Sequence, residues 1–273
     1  MRKLKVAVLD MNAGVKNLGL DSIKSHLQAF GSRVDYDVYD VRLHNELPGL
    51  EYDAYISSGG PGDPRESDDA WEINYFQWLK SVNDYNLRNP ETAKQVFLIC
   101  HSFQLGVRFF KVGELRKRFH ISFGTFPCYL TGNGIHESIF DGLPNPMYVA
   151  DFRQFEVVWP HFDSYSKEFP KVLAIEQLDI TNDRERAIMA IRFTDDIIGT
   201  QFHPEAYADG MYAYFNEDER REQVISEHGA GKLNQMIHDL QNPQKIALTN
   251  AVVLPNFIKG CFRKIESKLQ SVA

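Results

Sequence analysis

The chain has 273 residues, enough for one large domain or a domain with an appendage, and a formal net charge of −7. That charge gives no general affinity for phosphate backbones or anionic lipid, so neither nucleic acid nor a membrane is an expected partner. The three cysteines, Cys100, Cys128 and Cys261, are odd in number and far apart; they define neither a disulfide framework nor a metal pair, which points to a reducing, cytoplasmic setting.

The first apolar run, VAVL, is closed by Asp10 and is too short for a signal peptide or a membrane span. Lys5 to Asp10 reads as a buried strand. Asn17 to Phe30 spaces Leu20, Ile23, Leu27 and Phe30 on one helical face, which Gly31 ends. Strands are expected at Val34 to Val41 and at Asp53 to Ser57, the latter broken by SSGGPGDP. Glu72 to Leu87 sets Ile73, Phe76, Leu79 and Val82 at steps of three, a slowly drifting helical face, and Val96 to Cys100 is a fourth strand running into a helix. Strands alternating with helices imply a mainly parallel sheet covered on both faces, with reactive groups beyond the carboxyl ends of its strands.

Five shorter apolar stretches follow, Ile121 to Leu130, Met147 to Trp159, Val172 to Gln177, Ala187 to Phe193 and Ile197 to Phe202; they read as further strands, some antiparallel. Beyond His203 the pattern is helical. Asn216 is an expected cap for a helix opening with Glu217, Asp218 and Glu219 and stopped by Gly229. Lys232 to Leu240 and Lys245 to Leu269 complete it, with Pro243 as a break and Pro255 as a kink.

Three stretches carry chemistry. In VFLICHSFQLG a cysteine stands where a strand becomes a helix, and the helix start offers unpaired N–H groups and a positive dipole that favour thiolate; the plain alternative is an inert buried cysteine. A thiol nucleophile needs a base, and the base an orienting group. In GTQFHPEAY, His203 and Glu205 supply both types and, two apart in an extended segment, point to one side, although His-Pro-Glu alone is also an ordinary turn. In SSGGPGDP, paired glycines after a strand can turn backbone N–H groups towards a developing oxyanion, or form a simple Gly-Pro turn.

In chain order, SSGGPGDP, then ICHSFQLG, then QFHPEAY, the three stretches resemble the class I, or triad-type, glutamine amidotransferases, whose fold is a flavodoxin-like parallel sheet. The resemblance covers residues 1 to about 208 and leaves 209–273 as a helical C-terminal extension packed on the same domain. It implies Cys100 as nucleophile, His203 as general base and acid, and Glu205 as the group orienting the imidazole. It implies an oxyanion hole lined by the N–H groups of Gly60 and His101, with Gly59 shaping the loop, and Gln104 beside the substrate. VVWPHFDSY, residues 157–165, echoes a family strand whose histidine contacts bound glutamine, which implies His161 as a substrate contact. The sequence departs from the family at Ser102, where glycine is usual, at Leu98, where a small residue is common, and at Phe103, where histidine is frequent.

By this resemblance the chain hydrolyses the glutamine side-chain amide through a thioester and supplies ammonia to an acceptor on a separate synthetase chain, with no metal or organic cofactor. HGAGKL, residues 228–233, fails as a P-loop: it lacks a hydroxyl residue after Lys232 and the upstream glycine. His26, His44, His120, His136, His228 and His238 show no metal-ligand spacing. The alternatives are a γ-glutamyl hydrolase or acyltransferase using the same three residues, and a non-catalytic binding subunit.

Overall fold

The computed structural model describes residues 2–65, 67–159, 161–178 and 185–271. Its strands are β1 (Leu4–Asp10), β2 (Val34–Asp40), β3 (Ala54–Ser57), β4 (Gln95–Ile99), β5 (Glu114–Leu130), β6 (Met147–Val158), β7 (Lys171–Glu176), β8 (Ile188–Arg192) and β9 (Ile197–Thr200). The helices of four or more residues are α1 (Leu18–Gln28), α2 (Ala70–Arg88), α3 (His101–Phe110), α4 (Gly132–Ile135), α5 (Ala208–Asn216), α6 (Asp218–His228), α7 (Ala230–Leu240) and α8 (Ile246–Ser271). The strands form one sheet in the order β2-β1-β3-β4-β9-β8-β7-β5-β6. The first five of these are mutually parallel and the rest antiparallel, so the flavodoxin-like sheet is mixed.

The inner parallel strands β1, β3, β4 and β9 are mostly buried because both faces of the sheet are covered there, whereas the edge strand β2, VDYDVYD, is largely exposed. Val6, Val8, Ile56, Phe97 and Ile99 pack with Ile23 and Leu27 of α1 and with Val253, Phe257 and Phe262 of α8. Ala7, Leu9, Tyr55, Val96 and Leu98 pack on the other side with Tyr75, Trp78 and Leu79 of α2 and with Phe103 of α3. Phe97 meets Phe257 edge-on, with ring centroids 5.1 Å apart. Thus α8 is part of the main core, its apolar side laid against the sheet.

Three expectations shift. The buried face of α2 is Tyr75, Trp78, Leu79 and Val82, while Ile73 is 49% exposed; a step of three drifts away from the 3.6-residue repeat, and the wider i, i+3, i+4, i+7 stripe prevails. β5 begins at Glu114, not Ile121. Its charged start, Arg116 to Arg118, pairs with β6, where Glu156 meets Arg116 at 2.9 Å and Arg118 at 2.6 Å. Asn216 closes α5 and caps nothing; α6 starts after Glu217, which makes no side-chain cap bond, and Gly229 ends it at φ 85°.

Candidate active site

Cys100 is the single residue between β4 and α3, with φ 48° and ψ −99°. A non-glycine residue there costs about 1–3 kcal/mol, which the surroundings must impose. Its N–H donates to the Thr200 carbonyl at 2.8 Å, tying the turn to the end of β9, and its carbonyl accepts from Gln104 N–H at 3.0 Å, opening α3. The N–H groups of His101, Ser102 and Phe103 precede that first helical bond and form the positive end of the helix.

His203 follows the end of β9, and its N–H donates to the Ala150 carbonyl of β6 at 3.0 Å. Because β4 and β9 are sheet neighbours with Ile99 opposite Thr200, the segments after them meet. The ring Nδ1 lies 2.7 Å from Glu205 Oε1. Burial works against the charged imidazole, but the Glu205 carboxylate, followed by the charge of Cys100 and its hydrogen bond, holds the His203 pKa well above its ordinary value. Glu205 is buried against the first turn of α1: a Cβ on Gly19 would stand 2.9 Å from Glu205 Oε1. A carboxylate is favoured at a helix N-terminus.

Gly59 stands between the Cys100 and His203 side chains. A Cβ there would lie 2.7 Å from His203 Cε1 and 3.4 Å from Cys100 Cβ. Gly60 lines both cavities at Cys100, and a Cβ on it would point the other way and overlap the Met11 carbonyl. Both positions therefore require glycine for space. Buried hydroxyls fix this loop to α3. Ser102 Oγ lies 2.7 Å from Ser57 Oγ and donates to the Ser58 carbonyl at 2.7 Å; Tyr75 donates to Ser57 Oγ at 3.0 Å; Met11 N–H donates to Ser58 Oγ at 2.9 Å. Ser102 thus makes bonds that a glycine could not.

Gln104 Nε2 donates to Gln201 Oε1 at 3.0 Å and to the Phe155 carbonyl at 3.4 Å, and Gln201 Nε2 approaches Cys100 Sγ at 3.7 Å. Gln201, absent from the sequence-based site, was signalled by its place in QFHPEAY. The His101 ring lies beside Trp71, with ring centroids 6.1 Å apart; burial, then Arg42 and Arg108, push its pKa down to about 3, so the ring is neutral. His161 is exposed, at φ 61°, in the turn after β6 and lines neither cavity at Cys100. Phe152 to Phe155 of β6 occupy that ground instead.

Two cavities open on Cys100. The first, about 540 Å³, is lined by His203 and Glu205 and walled by α1, α5 and α6. The second, about 460 Å³, is lined by His101, Gln104 and the β5–β6 pair, with Lys117, the Arg65–Asp63 ion pair and Arg153, which is paired with Asp151 and Glu176, along its wall. Among the described residues, no group of three or more His, Cys, Asp or Glu side chains is arranged to hold a metal ion, and no helix is long and apolar enough to cross a membrane.

The fold is shared with several solved structures. A glutamine amidotransferase from Thermotoga maritima superposes with TM-score 0.69 at 13% identity, covering 96% of this chain and 99% of that one. A Thermoplasma acidophilum protein described as a GMP synthase subunit gives 0.57 at 18% identity, with 98% and 99% covered. The glutaminase domain of Trypanosoma brucei CTPS, with bound acivicin, gives 0.53 at 17% identity, with 74% and 86% covered. No curated protein sequence matches. The family model for glutamine amidotransferase class-I matches residues 8–218, most of the chain and all three motif stretches, and the chain belongs to that family.

Proposed function

We propose that this protein is a glutaminase of the amidotransferase type, in which Cys100, His203 and Glu205 act as a catalytic triad. The observation that carries the reading is the grouping of Cys100 and the Glu205-bound His203 ring around Gly59. A raised His203 pKa favours the imidazolium, the partner a thiolate needs.

The thiolate attacks the glutamine side-chain carbonyl, and the N–H groups of Gly60 and His101 receive the oxyanion. Such a donor is typically worth about 2.7–4 kcal/mol in the transition state. His203 gives its proton to the departing nitrogen, ammonia leaves, and Cys100 holds the glutamyl group as a thioester. Water, losing a proton to His203, hydrolyses the thioester to glutamate. Gln201 and Gln104 position the sulfur and the β6 edge. Arg153, which lines the second cavity, is buried and paired with Asp151 and Glu176 at 2.9 Å each. The similar structure described as a GMP synthase subunit supports a separate synthetase chain as the ammonia acceptor.

The test is acivicin labelling followed by mass spectrometry, alongside glutamate release from glutamine. One adduct on Cys100, lost in His203→Ala, with glutamate release abolished in Cys100→Ala, is expected. Equal labelling of wild type and His203→Ala refutes the triad.

A further inference from the structure

The two cavities divide the chemistry at Cys100. His203, which must protonate the leaving nitrogen, lines only the first; Gln104 and His101, on the side of the acyl group and its oxyanion, line only the second. The departing amine therefore leaves into the first cavity. Ammonia is about the size of a water molecule, whose share of liquid volume is roughly 30 Å³, whereas this cavity measures about 540 Å³. Its walls are built for more than ammonia. Phe123, Phe152, Met211, Phe215 and Val224 form an apolar floor beside the imidazole, and Leu18 and Tyr214, each 36% exposed, flank the mouth. Phe123, Phe152 and Phe215 brace one another, with centroids 5.2 to 6.4 Å apart, so the floor is a packed surface rather than a gap. Much of this wall comes from α5 and α6, whose own small core includes Met211, Phe215 and Val224.

We infer that the site takes a second substrate class, γ-glutamyl amides whose amine carries an apolar, aromatic or aliphatic body, with that body seated against Phe152, Phe215 and Met211. This rests on Cys100 being the acylated nucleophile, as proposed above. The amide C–N bond breaks as the Cys100 sulfur–carbon bond forms, His203 delivers the proton to the amine nitrogen, and water then converts the thioester to glutamate and free thiol. Amide and water yield glutamate and the free amine, with no change in oxidation state. Each methylene seated in an apolar pocket is worth about tenfold or more in kcat/KM.

The experiment measures kcat/KM for γ-glutamyl methylamide, butylamide and benzylamide, read as amine and glutamate released by the full chain, with acivicin labelling of Cys100 in parallel. The expected result is a rise of at least tenfold from methylamide to benzylamide, which Tyr214→Ala and Leu18→Asp each reduce at least threefold; both positions are partly exposed, so the fold tolerates the change. A flat or falling series with Cys100 labelled overturns the inference and leaves the triad standing. Loss of both labelling and amide cleavage overturns the two together.

Discussion

Replacing Gly59 by Ala probes the geometry at its tightest point. The backbone of Gly59 is outside the left-handed region, so alanine can adopt it and the effect is one of space alone. The new methyl would stand 2.7 Å from His203 Cε1, against a contact distance of ~3.5 Å, so the ring must retreat by about 0.8 Å. It cannot swing freely, because Nδ1 is held 2.7 Å from Glu205 Oε1. A misplacement of ~1 Å in a reacting group costs about 10²-fold in rate, while one added methyl in a packed site costs about 1–3 kcal/mol in stability. The expected outcome is a kcat for ammonia release from glutamine about 100-fold below wild type, in a protein that still unfolds cooperatively with its Tm lowered by a few degrees. Steady-state kinetics with a coupled ammonia assay, beside calorimetry, measure both. A variant within threefold of wild-type kcat would refute the assignment of His203 as the base held against Gly59.

Ser102→Ala removes the hydroxyl shared by Ser57 Oγ and the Ser58 carbonyl, leaving a buried acceptor unpaired at about 1–3 kcal/mol; urea unfolding should show that loss, and an unchanged midpoint would mean the hydroxyl network does not hold the loop. Phe257→Ala takes the ring that packs on Phe97 out of the core, and a loss of about 3–5 kcal/mol is expected; a loss under 1 kcal/mol would detach α8 from the sheet. Burial raises the thiol pKa of Cys128, and pushes that of Cys261 up to about 12, so brief iodoacetamide treatment of the folded protein should alkylate Cys100 first. Modification of Cys261 at an equal rate would contradict its burial. Stability should also report the raised His203 pKa. Above ~6.5 the unfolded ring loses its proton while the folded ring keeps it, so the contribution is full below that pH and disappears as pH rises through the folded value. The Tm gap between wild type and Glu205→Gln should therefore narrow towards alkaline pH, and a gap that widens would contradict the ion pair.

Periodicity and motif chemistry make much of this legible in the sequence. The Val-rich runs, the turn at Cys100 and the set SSGGPGDP, ICHSFQLG and QFHPEAY are local patterns, each encoded within about ten residues, and so are the bulk of the strands and helices. Where the local pattern was ambiguous, packing decided: α2 presents Tyr75 and Trp78 rather than Ile73 to the core, because burial rewards the stripe that stays on one side of a 3.6-residue helix. The charged start of β5 carries no apolar strand pattern, and Glu156 on β6 supplies the counter-charges that let it pair.

What the linear pattern determined by itself is which residues are chemically equipped: a sulfur at a strand-to-helix turn, an imidazole two residues from a carboxylate, and a loop of glycines. What only the tertiary structure decided is their company. The adjacency of β4 and β9 brings Cys100 to His203, the first turn of α1 lies against Glu205, and α5 and α6 wall the cavity on the imidazole side, while His161 ends up in an exposed turn. The reason is that a periodic run states only that one face will be buried, and the order of strands in the sheet settles what it is buried against.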